Sequence, residues 1–118
     1  MLKLSKYCFL LFFASCVLVV RPAVAAEEAK GNLASVNWLE QNLASADLLI
    51  LDASPPPMYK AQHIAGAINV DVFSYGGQEL PVSEMEQRFQ SWGIARGKKI
   101  LIYDQGGSFM ATKLFYDL

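Results

Sequence analysis

The chain has 118 residues, with 10 Lys+Arg against 11 Asp+Glu, a formal net charge of −1 at pH 7 and two cysteines. This near-neutral total divides unevenly. Met1 to Ala25 holds Lys3, Lys6 and Arg21, no anion and both cysteines, Cys8 and Cys16, while the rest has 7 Lys+Arg, 11 Asp+Glu, a net charge of −4 and no cysteine. Beyond Ala25 a basic nucleic-acid binder, a disulfide scaffold and a cysteine-rich metal site are excluded, and no nucleophilic thiol is present.

Residues 1–25 read as a secretory signal. Two lysines precede the apolar run Cys8 to Val20, Arg21-Pro22 breaks it, and Ala23-Val24-Ala25 offers small residues at the first and third places of a cleavage site after Ala25. A membrane anchor needs about 20 apolar residues, and this run has 13. Processing at Cys16 as a lipoprotein is the lesser alternative, with Ala14-Ser15 suited to it and Phe13 not. The expectation is export, most simply to a bacterial periplasm, with membrane contact only through the signal.

Residues 26–34 are small and polar, ending in a linker around Lys30-Gly31-Asn32, and the organised domain is expected over 35–118. Asn37-Trp38-Leu39-Glu40 has the form of a capping box, which predicts a short helix to about Leu43 with Asn37 as its cap. Leu48 to Asp52 is a continuous apolar run closed by aspartate, the pattern of a strand buried on both faces of a parallel sheet. Pro55-Pro56-Pro57 ends it, because proline cannot donate to a ladder.

A helical turn is expected over Met58–Gln62, then a tight loop at His63-Ile64-Ala65-Gly66-Ala67 and a short strand over Ala67–Asp71. Gly76-Gly77 reads as a surface turn. The next helix opens at Pro81 to Glu86 with a Ser83-x-x-Glu86 capping pattern, aligns Met85, Phe89 and Trp92 on one face, and closes at Gly93. Ile100 to Asp104 repeats the buried-strand pattern, Gln105 to Ser108 forms a loop, and Met110, Ala111, Leu114, Phe115 and Leu118 make a helical apolar stripe. Apolar strands alternating with amphipathic helices predict an α/β layer fold with a mostly parallel sheet. A parallel sheet normally receives another strand after such a helix, so the domain is expected to be incomplete at its C-terminus.

In such folds ligands sit at the carboxyl ends of strands, where helix N-termini direct N–H groups at anions. Here that place is Asp104 to Ser108, and Gly106-Gly107 lets the backbone curl into an anion nest. Taken alone, a glycine pair between strand and helix is more often a plain connection. Asp52 is expected to orient the loop after it through backbone N–H groups. His63, the only histidine, is weighed as a general base against a hydrogen-bonding scaffold role, and the latter is preferred. Tyr59, Tyr103, Trp38, Phe89 and Trp92 read as packing residues, and Lys113 as a solvated charge.

Leu51-Asp52-Ala53, Tyr59, Gln62-His63-Ile64-Ala65-Gly66-Ala67-Ile68-Asn69 and Ile102-Tyr103-Asp104 with Gly107-Ser108-Phe109 and Ala111 resemble the rhodanese (sulfurtransferase) family. The resemblance runs from about Val36 to Leu118. In Trp38-Leu39, Gly93-Ile94 and Tyr103 to Phe109 it is most similar to the non-catalytic first domain of two-domain thiosulfate or 3-mercaptopyruvate sulfurtransferases. It implies a three-layer fold with a mostly parallel central sheet, and His63 and Gly66 in a structural turn with Asp52 at a strand end.

The family's chemistry needs a thiolate that accepts a sulfane sulfur as a persulfide, held at the head of a loop whose N–H groups stabilise negative charge. The resemblance places Asp104 where that cysteine belongs and Ser54 where active domains often carry arginine. A carboxylate forms no persulfide, and its charge opposes an anionic donor. No catalytic residue is therefore assigned. Asp104, Gln105, Gly106, Gly107, Ser108 and Phe109 are read as a degenerate active-site loop, and no metal or cofactor is expected.

Three readings stay open. The first is an exported rhodanese-like domain that supports or docks onto a catalytic rhodanese domain or another periplasmic protein. The second is the N-terminal part of an active tandem sulfurtransferase whose cysteine lies beyond Leu118. The third is a stand-alone module that binds an anion or peptide at the Asp104 loop. Phosphatases of related topology are disfavoured, because the part after Ala25 offers no cysteine for their phosphate loop.

Overall fold

The computed structural model describes residues 31–75 and 80–118. The expected signal segment and the Gly76-Gly77 turn lie outside the described residues. In chain order the elements are α1 (Val36–Asn42), β1 (Leu48–Asp52), α2 (Pro56–Ala61), β2 (Ile68–Asn69), a single turn of 3₁₀ helix at Val72–Ser74, α3 (Val82–Ser91), β3 (Lys99–Tyr103) and α4 (Met110–Asp117). The strands form one sheet in the order β2-β1-β3. Both pairings are parallel: β1 runs beside β3 from Leu48↔Lys99 to Asp52↔Tyr103 and beside β2 at Leu51↔Ile68 and Asp52↔Asn69. A mixed α/β fold with an all-parallel sheet follows, as the alternating pattern predicts.

The prolines explain how the chain leaves β1. Pro56 and Pro57 sit in the first turn of α2, where a missing N–H costs nothing and the fixed φ suits the helix. The run that ends the strand thus also starts a helix, two residues earlier than the pattern suggested.

Two expected caps are corrected. Ser35, not Asn37, caps α1: its hydroxyl accepts from the Trp38 N–H at 3.1 Å, and Asn37 lies inside the helix. α3 has no side-chain cap; Pro81 at φ −55° and ψ 143° leads straight into Val82, which places Ser83 inside the helix rather than before it. The C-terminal end of α3 closes as expected. Gly93 takes φ +81°, its N–H donates to the Gln90 carbonyl and the Ile94 N–H to the Phe89 carbonyl, both at 3.0 Å, so two otherwise orphaned carbonyls are satisfied.

The main core joins β1 to the segment after β2 and to α3 and α4. Leu51, Ala53, Val70, Val72, Tyr75, Met110 and Leu114 are buried together, and Leu49, Met85, Trp92 and Ile102 pack against them. Leu51 and Leu114 are both 0% exposed. Phe89 meets Trp92 at a tilt, 5.8 Å between ring centres, and Trp92 meets Tyr75 likewise at 5.9 Å, so the apolar face of α3 reaches the core through aromatic rings. Arg88 and Lys113 also stand over the Tyr75 ring, at 5.6 and 5.9 Å from its centre, and Lys113 pairs with Asp117 one turn on. Lys113 is thus a bridging charge and not a purely solvated one. The Tyr75 hydroxyl is buried with no hydrogen-bond partner among the described residues. Burial first, and the charge of Asp117 second, push its pKa up to about 12.

β3 departs from its apolar pattern. None of its five residues is fully buried, and Lys99 and Ile100 are exposed, whereas β1 ends in three buried residues. The cause is position: β1 is flanked by strands on both sides, while β3 is at the edge of the sheet among the described residues. Ile100, Ile102, Leu39 and Phe115 line an open groove between α1, β3 and α4.

Candidate functional site

All three strands point their carboxyl ends the same way, which brings Asp52, Asn69 and Tyr103 to one end of the sheet. The loop Asp104 to Phe109 leaves β3 there and leads into α4. Gly106 and Gly107 both take positive φ, +83° and +68°, with open space where a Cβ would stand. Glycine is required by the backbone angle rather than by crowding.

Asp104 turns back into its own loop. One carboxylate oxygen accepts from the Gly106 N–H at 2.8 Å and the other from the Ala111 N–H at 3.1 Å. Phe109 occupies the cap position of α4 and supplies no side-chain cap, so a residue seven positions upstream of Ala111 satisfies a free N–H of the first turn. The negative charge lies at the positive end of the helix dipole. Within the loop itself Gly106 is the donor to Asp104; the Ser108 hydroxyl oxygen faces the Met110 N–H at 3.4 Å, a long contact. The Ala111 donor was not anticipated, since from the sequence it is one more apolar residue of a helical stripe.

Gln105, Gly106 and Gly107 are exposed, and Phe109 is 63% exposed. Phe109 meets Phe73 edge to face at 6.2 Å, and Phe73 is 62% exposed. The 3₁₀ turn that presents Phe73 is set by Asp71, whose carboxylate accepts from the Phe73 N–H at 3.1 Å. An aspartate capping the residues after it was the available signal for this missed turn.

The remaining residues of the motif form a frame beneath the loop. Asp52 is 1% exposed, and its carboxylate accepts from the Ser54 N–H at 2.8 Å. The Asn69 amide donates to the Asp52 and Ser54 carbonyls at 3.0 and 2.8 Å, tying β2 to the exit from β1. Tyr103 reaches across to the His63 loop: its hydroxyl oxygen accepts from the Ile64 N–H at 2.9 Å. Burial, then the neighbouring Asp52, raise the Tyr103 pKa to about 12, so the phenol is neutral at physiological pH.

His63 is exposed and stacks on Tyr59 at 4.0 Å. Its Nδ1 lies 2.8 Å from the Tyr59 carbonyl oxygen, an acceptor, so that nitrogen carries the proton. The Tyr59 hydroxyl in turn donates to the Ala67 carbonyl at 2.8 Å, and Gly66 between them takes φ +81°. His63, Tyr59 and Gly66 thus shape one turn, and Tyr103 joins that turn to the strand that carries Asp104. Among the described residues no three His, Cys, Asp or Glu side chains gather as a metal-binding group.

The loop after β3 is thus closed by Asp104, whose carboxylate takes one N–H of the loop and one of the first turn of α4. Residues 35–116 match the family model for the rhodanese-like domain. The chain belongs to the rhodanese-like domain family. It is also similar to two Arabidopsis thaliana proteins. Thiosulfate/3-mercaptopyruvate sulfurtransferase 2 is 29% identical over 119 aligned residues, covering 80% of this chain and 35% of the relative. Thiosulfate/3-mercaptopyruvate sulfurtransferase 1, mitochondrial, is 30% identical over 98, covering 70% of this chain and 26% of the relative. This rhodanese-like chain therefore spans about a third or less of the curated relatives it matches. Its sheet, its His63 turn and the loop after β3 all fall inside the matched residues.

Proposed function

We propose that this chain is an exported rhodanese-like domain that transfers no sulfur itself and supports or docks onto a sulfurtransferase domain. The observation that carries the reading is the Asp104 carboxylate, hydrogen-bonded to Gly106 and Ala111 at the head of the loop. In the chemistry of this family a thiolate at that place takes a sulfane sulfur, and the surrounding N–H groups stabilise the charged sulfur. A carboxylate accepts no sulfur, and here it uses the donors an incoming anion would need. Beyond Ala25 the sequence offers no cysteine in its stead.

The test is thiocyanate formation from thiosulfate and cyanide. The chain cleaved after Ala25 should give no rate above buffer, and adding it to a catalytic sulfurtransferase domain should change that domain's rate or stability. Turnover by the chain alone defeats the proposal.

The relatives' greater length favours a second reading, in which these residues are the N-terminal part of an active tandem thiosulfate or 3-mercaptopyruvate sulfurtransferase. Reading the coding region downstream of Leu118 separates the two: an in-frame continuation carrying a second strand-end loop headed by cysteine supports the tandem enzyme, and an immediate stop codon removes it. Under both readings Asp104 carries no sulfur.

A further inference from the structure

We draw no further inference here: the strongest candidate, the open apolar groove between α1, β3 and α4, carries none because nothing in the structure shows what covers it.

Discussion

Replacing Asp104 by alanine removes two accepted hydrogen bonds and a favourable charge at once. The Gly106 N–H belongs to an exposed residue and regains water when the carboxylate is lost, so its 2.8 Å bond contributes little net stability. The Ala111 N–H is half-buried at the start of α4, where the cap residue Phe109 makes no side-chain bond and the other side-chain contact is the long one from Ser108 to the Met110 N–H. A hydrogen bond to a charged group contributes about 1.5–3 kcal/mol when well shielded, and a charge at a helix N-terminus about 0.3–1 kcal/mol. With partial exposure the two together come to about 2 kcal/mol. In a domain of this size that lowers the midpoint of thermal unfolding by about 10 °C. Urea titration followed by circular dichroism measures the loss directly, with the denaturant slope unchanged. Asp104→Asn keeps one oxygen for Gly106 but turns its amide group toward the Ala111 N–H, so it recovers less than half of the loss. A loss below about 0.5 kcal/mol for Asp104→Ala would show that the carboxylate does not hold the loop.

Three further outcomes are expected, two from the structure and one from the sequence. Ser35→Ala removes the only side-chain cap of α1 and should cost about 1 kcal/mol in the same titration. The phenols of Tyr75 and Tyr103, both raised to about 12, release their protons more readily in the unfolded chain, so stability is full below pH 10 and declines as pH rises toward 12; Tyr75→Phe and Tyr103→Phe should each flatten that decline between pH 9 and 12, and an unchanged slope would contradict the assignment. Under the proposed export, N-terminal sequencing of the mature chain should begin at Ala26, whereas a lipid-modified Cys16 at the amino end would establish the lipoprotein route instead.

Much of the fold is written in runs that depend on few neighbours. Leu48 to Asp52 occupies its predicted strand to the residue, because a run of apolar residues between Asp47 and three prolines has no other favourable state. Gly93 ends α3 as expected, since only glycine enters the left-handed region without strain. The misplaced caps arise where two residues compete: Ser35 and Asn37 are both good caps, and the choice rests on which side chain reaches a free N–H. β3 has the same composition as a buried strand, but its exposure depends on what lies beside it, which its own residues do not encode.

The loop after β3 was legible as a place and less so as a geometry. Two glycines between a strand and a helix mark it, and the resemblance to the rhodanese family puts Asp104 at its head. The pairing of Asp104 with Ala111 depends on how tightly the two glycines turn the chain back, a tertiary property no local pattern carries. Tyr103 likewise reads as packing in the sequence, and its bond to the Ile64 N–H exists only because a parallel sheet brings segments 39 residues apart together.

The central claim is that the Asp104 loop occupies its own anion site and takes up no sulfur. Incubating the chain cleaved after Ala25 with thiosulfate and then recording its intact mass by electrospray mass spectrometry tests this most directly. An unchanged mass is expected, under conditions where a sulfurtransferase with a loop cysteine gains the mass of one sulfur atom. Stoichiometric gain of that sulfur, removed again by cyanide, would contradict the account.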